Sequence, residues 1–153
     1  MSVRIAHAPF DIAAEIAALT AGPAAAETGA VASFTGRVRA TAHGRTLIAM
    51  TLEHYPGMTE AELARIEADA AQRFQLSATT IIHRVGRLTP GEDIVLVIAS
   101  AAHRQSAFDG CAYLMDYLKT KAPFWKKEEF ADGETAWVDA READDAALAR
   151  WGG

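Results

Sequence analysis

The segment DIVLVIAS, residues 93–100, is apolar at almost every position, so a strand made from it must be covered on both faces. The chain then runs directly into AHRQSAFDGCAYLMDYLKT (102–120), where Phe108, Cys111, Met115 and Leu118 recur at three- and four-residue spacing. That spacing predicts a helix beginning near His103 and ending by Pro123, whose ring cannot continue it. A central strand feeding a helix of this length sets the frame, and the remaining segments must supply its neighbours.

They do so in alternation. VRIAHA (3–8) predicts a short strand, and Asp11 predicts an N-cap for the alanine-rich helix IAAEIAAL, with Ile12, Ile16 and Leu19 on one stripe. Gly22-Pro23 ends it. GAVASFTGRVRA (29–40) predicts a strand with Val31, Phe34 and Val38 directed into the core and Gly36 marking a bulge or a close backbone approach. With TLIAMTLEHY (46–55) across the polar TAHGR loop it predicts a long hairpin. Thr59 with Glu62 three residues on predicts a capped helix through Phe74 that buries Ala61, Leu63, Ile66, Ala70 and Phe74. Its Glu60, Glu67, Asp69 and Arg73 are expected in water. ATTIIHRVGRL (78–88) predicts one strand, joined to 93–100 by the turn Thr89-Pro90-Gly91-Glu92. FWKKEEF and TAWVDA predict a final hairpin, and READDAALARW a terminal helix. The order implies one α+β domain over residues 1–153 with mostly antiparallel pairing.

Composition narrows the function. A chain of 153 residues, half of them hydrophobic, can bury roughly 70% of the surface its unfolded form exposes. No apolar run approaches the ~20 residues needed to span a bilayer, and the N-terminus lacks the pattern of a signal peptide. Cys111 is the only cysteine, which excludes an internal disulfide and a cysteine-based zinc site. A cytoplasmic protein is the simplest account. The net charge of -5 argues against nucleic acid as a partner, so a bound anion should be small and met locally. No Walker motif, dinucleotide fingerprint or nucleophile elbow is present, and no bound cofactor is expected.

Against that acidic background, MDYLKTKAPFWKKE (115–128) sets Lys119, Lys121, Lys126 and Lys127 around a rigid Ala-Pro-Phe-Trp step. Helix-terminal lysines are ordinarily solvated and favourable to the helix dipole. Paired lysines can also hold a carboxylate or phosphate, and crowding can lower one lysine's pKa for acyl chemistry. At the other end of the same helix, Arg104 beside His103 either bends to solvent or meets an anion at the helix N-terminus. Arg104 and Lys119 are 15 residues apart, about 22 Å along an axis, so they cannot hold one small group within a single chain. Arg37 and Arg39 flank Val38 on the opposite strand face, as a ligand site beside Gly36 or as a charged strand edge. His43, His54 and His83 lack metal-ligand spacing and are expected to be structural or exposed. Glu53-His54-Tyr55 suggests a buried polar cluster, Cys111 an inert core thiol, and the terminal Gly152-Gly153 two frayed residues.

Taken together, FTGRVR (34–39), LEHYPGMTE (52–60), HRVGRL (83–88), AHRQSAF (102–108) and MDYLKTKAPFWKKE (115–128) closely resemble the large subunit of molybdopterin synthase, the MoaE family. The similarity runs in order from about Gly29 to Trp151. It implies an α/β hammerhead-type fold and a homodimer flanked by two small β-grasp sulfur-carrier subunits, a heterotetramer. It also implies a sulfurtransferase of molybdenum cofactor biosynthesis. The carrier's C-terminal Gly-Gly thiocarboxylate would give up its sulfur to cyclic pyranopterin monophosphate (precursor Z), forming the dithiolene of molybdopterin. On matching positions, Lys119 and Lys126 would be catalytic, with Lys127 and Glu128 beside them where tail and pterin meet. Arg37, Val38, Arg39, His103 and Arg104 would help form the anionic substrate site, and Arg141 would reach a neighbouring subunit. The chain has no room for a fused carrier, so the sulfur donor is expected to be a separate protein. A module that only docks a Gly-Gly tail, and a phosphate-ester enzyme acting alone, are the rival readings.

Overall fold

The computed structural model describes residues 1–138 and 142–152, with the side chains of 142–144 left aside. Two sheets share the chain. The first has the order β1-β5-β7-β2, built from β1 (Ser2–Ala6), β2 (Ala30–Arg37), β5 (Leu76–Arg84) and β7 (Asp93–Ala101). β1 pairs with β5 in parallel, and the other ladders are antiparallel. β7 lies inside this sheet, as its unbroken apolar run demands. Val95, Val97, Ala99 and Ala101 pack under α2 (Met58–Phe74) and α3 (Arg104–Thr120). Leu96 and Ile98 pack on the opposite face with Ile82, beneath Phe10, Ile12, Ile16 and Leu19. Those last three belong to α1 (Ile12–Leu19), whose first turn is capped by the Asp11 carboxylate accepting from the Ala14 N–H at 3.0 Å. A 3₁₀ turn over Pro23–Glu27, not expected from sequence, leads into β2.

The second sheet has the order β3-β4-β8-β9, from β3 (Thr41–Ala42), β4 (Arg45–His54), β8 (Phe124–Phe130) and β9 (Thr135–Val138), with β6 (Gly86–Leu88) also on β4. Val38, Ala42, Leu47, Leu52, Leu88 and Phe130 form its core, and Ile94 packs against both this cluster and the main one. α4 (Glu142–Ala149) follows, and Trp151 after it is anchored. Its indole N–H donates to Asp116 at 2.6 Å and its ring meets Phe74 and Tyr113 edge-on. Among the described residues no helix is long and apolar enough to cross a membrane.

Several expectations are corrected. Residues 29–40 and 46–55 do not form a long hairpin: β2 pairs with β7, and β4 joins the other sheet. The chain turns away because Val38 spends its backbone on the 89–92 turn, donating to Glu92 O and accepting from Gly91 N. A tight hairpin then forms about His43 and Gly44, whose φ values of 55° and 73° suit a two-residue turn. The stretch 78–88 is two strands, not one. It changes sheets at Val85, helped by Gly86 at φ 95°. α2 starts at Met58, not after Thr59, because the Glu60 carboxylate accepts from the Gly57 N–H at 3.2 Å. Thr59 is buried instead, Ala61 is exposed, and Glu67 is buried rather than solvated. Val31 and Phe34 are 40% and 42% exposed on the edge strand β2, and Phe108 is 59% exposed on α3. Their periodic spacing marks faces of elements that no described segment covers.

Candidate functional site

The last turn of α3 carries Lys119, and the chain is then pinned before it becomes β8. Lys121 N–H closes the helix on Tyr117 O, and the Thr59 hydroxyl donates to Pro123 O at 3.1 Å. The Phe124 ring stacks on His83, with centroids 3.8 Å apart and planes 17° from parallel. The Pro-Phe step is therefore a clamp between α2, β5 and β8. Trp125 faces outward, paired across the ladder with Glu53. Alternation along β8 puts Phe124, Lys126, Glu128 and Phe130 on one face and Trp125, Lys127 and Glu129 on the other.

Where the two sheets meet the end of α3, the surface opens into a cleft of about 220 Å³ lined by Arg37, Arg39, Lys119, Lys126 and Glu128, with Phe124 among its walls. Arg37 is held from behind by Asp93, Nε to Oδ1 at 3.1 Å, and by Gly91 O at 2.6 Å. The register that pairs Arg37 with Asp93 follows the bulge at Gly36. That glycine also allows a close approach, since a Cβ there would lie 2.8 Å from Val95 Cγ1. Arg39 and Lys119 form no hydrogen bond or ion pair with any described residue, so their charge is offered to the cleft. Glu128 is the buried acid of the group, 2% exposed, with one oxygen 3.3 Å from His43 Nε2.

A smaller pocket of about 120 Å³ continues behind, sharing Arg37, Lys119 and Lys126 and adding Phe34, Met115 and His83. His83 was expected to be structural or exposed. It is buried, and burial above all pushes its pKa down to about 4, with the positive charges of Lys126 and Lys119 adding to the effect. The signal available in sequence was its spacing: His83 lies two residues after core Ile81 and so faces the same side of β5.

The other expected site residues fall elsewhere. Val38 is buried in the second core with its backbone bonded, so its side chain is turned from the cleft. Lys127 points to the opposite face of β8, beside Trp137. His103 and Arg104 are exposed at the far end of α3 and do not line the cleft. Arg141, like Gly153, lies outside the described residues. Glu53-His54-Tyr55 is no buried cluster, since Glu53 and Tyr55 are exposed. Burial raises the Cys111 thiol to about 11, which leaves it inert. No group of three or more His, Cys, Asp or Glu among the described residues could hold a metal ion. The chemistry on offer is cationic: a cleft built to gather negative charge.

Comparison with known proteins agrees in sequence and in shape. The family model described as MoaE protein matches residues 5–121. The molybdopterin synthase catalytic subunit of Mesorhizobium japonicum is 55% identical over 151 residues, covering 98% of this chain and 92% of that protein. The solved MoaE protein of Burkholderia ambifaria superimposes with a TM-score of 0.84 at 52% identity, covering 99% of this chain and 98% of the other. The molybdopterin synthase structure from Staphylococcus aureus gives 0.79 at 30% identity, covering 88% and 95%.

Proposed function

The chain belongs to the MoaE protein family, and from that premise we propose that it is the catalytic subunit of a molybdopterin synthase. It is a sulfurtransferase. Its substrates are the C-terminal thiocarboxylate of a small β-grasp carrier and cyclic pyranopterin monophosphate, and its product is the molybdopterin dithiolene. The observation that carries this reading is the convergence of Arg37, Arg39, Lys119 and Lys126 on one cleft of a protein whose net charge is -5.

The physical case is electrostatic. Both reactants are anions, and bringing them together in a partly desolvated cleft costs several kcal/mol unless fixed cations offset the repulsion. Lys119 and Lys126 approach from different elements, α3 and β8, so two sides of one ligand can be met at once. Once the carrier's thiocarboxylate sulfur has displaced an oxygen substituent from a side-chain carbon of the pterin, C–S bond forming as C–O bond breaks, the link to the carrier is a thioester. Water adds to its acyl carbon, the C–S bond breaks, the tail leaves as a carboxylate, and the sulfur stays on the pterin as a thiolate. The lysines stabilise the oxyanion of that tetrahedral adduct.

His103 and Arg104, at the far end of α3, act in the site of a second copy, as does Arg141. That arrangement calls for a homodimer, and with two carriers a heterotetramer. Residues 1–153 work as one domain, in the cytoplasm, where the carrier and the pterin would be met.

Mass spectrometry of this protein mixed with a thiocarboxylated carrier and cyclic pyranopterin monophosphate tests the reading. Two sulfurs gained by the pterin, with the tail returned to a carboxylate, is the expected result. An intact thiocarboxylate and unchanged pterin within a confirmed complex would reduce the protein to a docking module.

A further inference from the structure

Arg84 ends β5 as a buried cation, 5% exposed, and it does not line the cleft. Taking a guanidinium out of water is costly unless its donors are met, and an apolar side chain of similar volume would often hold a fold as well. What Arg84 grips is therefore informative. Nη1 donates to Glu92 Oε1 at 3.3 Å and to the Asp93 carbonyl oxygen at 3.2 Å, and Nη2 reaches the His7 carbonyl oxygen at 3.5 Å. Nε meets no acceptor among the described residues. Both Nη1 contacts fall on one short segment, the end of the 89–92 turn and the first residue of β7.

That segment needs a hold from this side. The turn closes on itself, Glu92 Oε2 accepting from the Thr89 N–H at 2.7 Å and from its hydroxyl at 3.1 Å, but closure does not place it against the sheet. The β5–β7 ladder ends at the His83–Val95 pair, two residues short of Asp93, and the Arg84 side chain spans that gap. On its other side the segment holds the end of β2. The Val38 N–H donates to Glu92 O at 2.9 Å, and Val38 O accepts from the Gly91 N–H at 2.8 Å. Gly91 O accepts from Arg37 Nη2 at 2.6 Å, and Asp93 Oδ1 lies 3.1 Å from Arg37 Nε. Residues 91–93 thus stand between two arginines, one buried in the frame and the other largely exposed and lining the cleft.

We propose that Arg84 is a positioning residue of the cleft: it clamps residues 92–93 from the β5 side and so fixes the Gly91 carbonyl and the Asp93 carboxylate that aim the Arg37 guanidinium at an anionic ligand. Acceptors fixed in advance hold Arg37 in one rotamer, so less freedom is lost when the anion arrives. The chain of contacts stands on these distances, and it rests on the functional reading above only for what the ligand is.

The test uses two variants of the full chain. Arg84→Met keeps an unbranched side chain in the buried site and removes every donor, and the Glu92 carboxylate left behind is exposed enough to take up water. Glu92→Gln leaves an acceptor for Thr89 and weakens the grip of Arg84 with no change in the core. NMR of nitrogen-labelled arginine follows exchange of the Arg37 Nε–H with water, its signal assigned by its loss in Arg37→Ala, with thermal denaturation as the check on folding. Exchange should quicken about tenfold in Arg84→Met and about threefold in Glu92→Gln. In the reconstituted synthase the KM for cyclic pyranopterin monophosphate should rise about fivefold in Arg84→Met, with kcat within about twofold of wild type. That rise should vanish in an Arg37→Ala background, because the two arginines act through one chain of contacts. An Arg37 signal exchanging at the wild-type rate in folded Arg84→Met, or a KM effect undiminished in the Arg37→Ala background, overturns the proposal. Glu92→Gln decides on the same two readings if Arg84→Met fails to fold. Absence of sulfur transfer by the wild-type complex would instead sink the functional reading and leave the Arg37 exchange to judge the clamp.

Discussion

Lys119 holds its charge at little cost before any ligand arrives, because the last turn of a helix favours a cation. Its side chain is exposed and supports no part of the core. Lys119→Ala should therefore lower sulfur transfer by about 10²-fold or more, while the thermal midpoint stays within a few degrees of wild type. Near-normal turnover would remove its assigned role. Gly29 shows the opposite kind of dependence. A Cβ there would stand 2.1 Å from the Ala102 carbonyl oxygen, and backbone cannot swing aside as a side chain can. Gly29→Ala should cost about 1–3 kcal/mol in urea unfolding. An unchanged midpoint would mean that the ends of β2 and β7 move apart freely.

Secondary elements were legible wherever burial and local chemistry agreed. The β7–α3 unit, the capped α1 and the β8–β9 hairpin stand where the apolar pattern and turn residues put them. The failures came where a local pattern had two solutions. Thr59 and Glu62 match a capping box, yet Glu60 reaches Gly57 first, and Arg65 binds Glu62 at 2.6 Å. Residues 78–88 read as one strand because nothing local says that Val85 changes sheets. The long hairpin failed because β2 found a better partner in apolar β7. α1 is the element whose cap can be tested in isolation, since it covers the outer face of the first sheet alone. Asp11→Ala should cost about 1 kcal/mol in chemical denaturation. No loss would show that packing of Ile12, Ile16 and Leu19 holds the helix without its cap.

Across the whole molecule, buried ionisable groups tie stability to pH in opposite directions. His83, pushed down to about 4 from an ordinary 6.5, is protonated in the unfolded chain before the folded one. Stability is therefore lost as pH falls through that window. Wild type should lose about 2 kcal/mol more than His83→Gln between roughly pH 6.5 and 5 in unfolding experiments. Parallel curves would show that the ring protonates freely in the native state. Glu67 behaves the other way. Burial raises its pKa, opposed by hydrogen bonds from the Thr79 hydroxyl and the Ser2 N–H. Its raised value means stability is gained as pH falls and lost as pH rises through it. Glu67→Gln should be more stable than wild type at neutral pH, with the gap closing on acidification. A gap that widens in acid would reverse that assignment.

The amino-acid sequence alone determined the family, through long motifs such as MDYLKTKAPFWKKE, and the central strand and its helix, through uninterrupted apolarity and helical spacing. It also supplied the cations, since the four lysines gathered within residues 115–128 of an acidic chain are visible without coordinates. Only the tertiary structure decided which of them meet. Arg37, Arg39, Lys119 and Lys126 share a cleft, while Lys127 faces away and His103 and Arg104 stand at the far end of α3. It alone buried Glu128 beside His43 and set His83 beneath the lysines. The reason is physical: side-chain period along one element is local, whereas the meeting of residues far apart in sequence depends on which strands pair and in what register. That choice is made by the competition of whole apolar faces for burial.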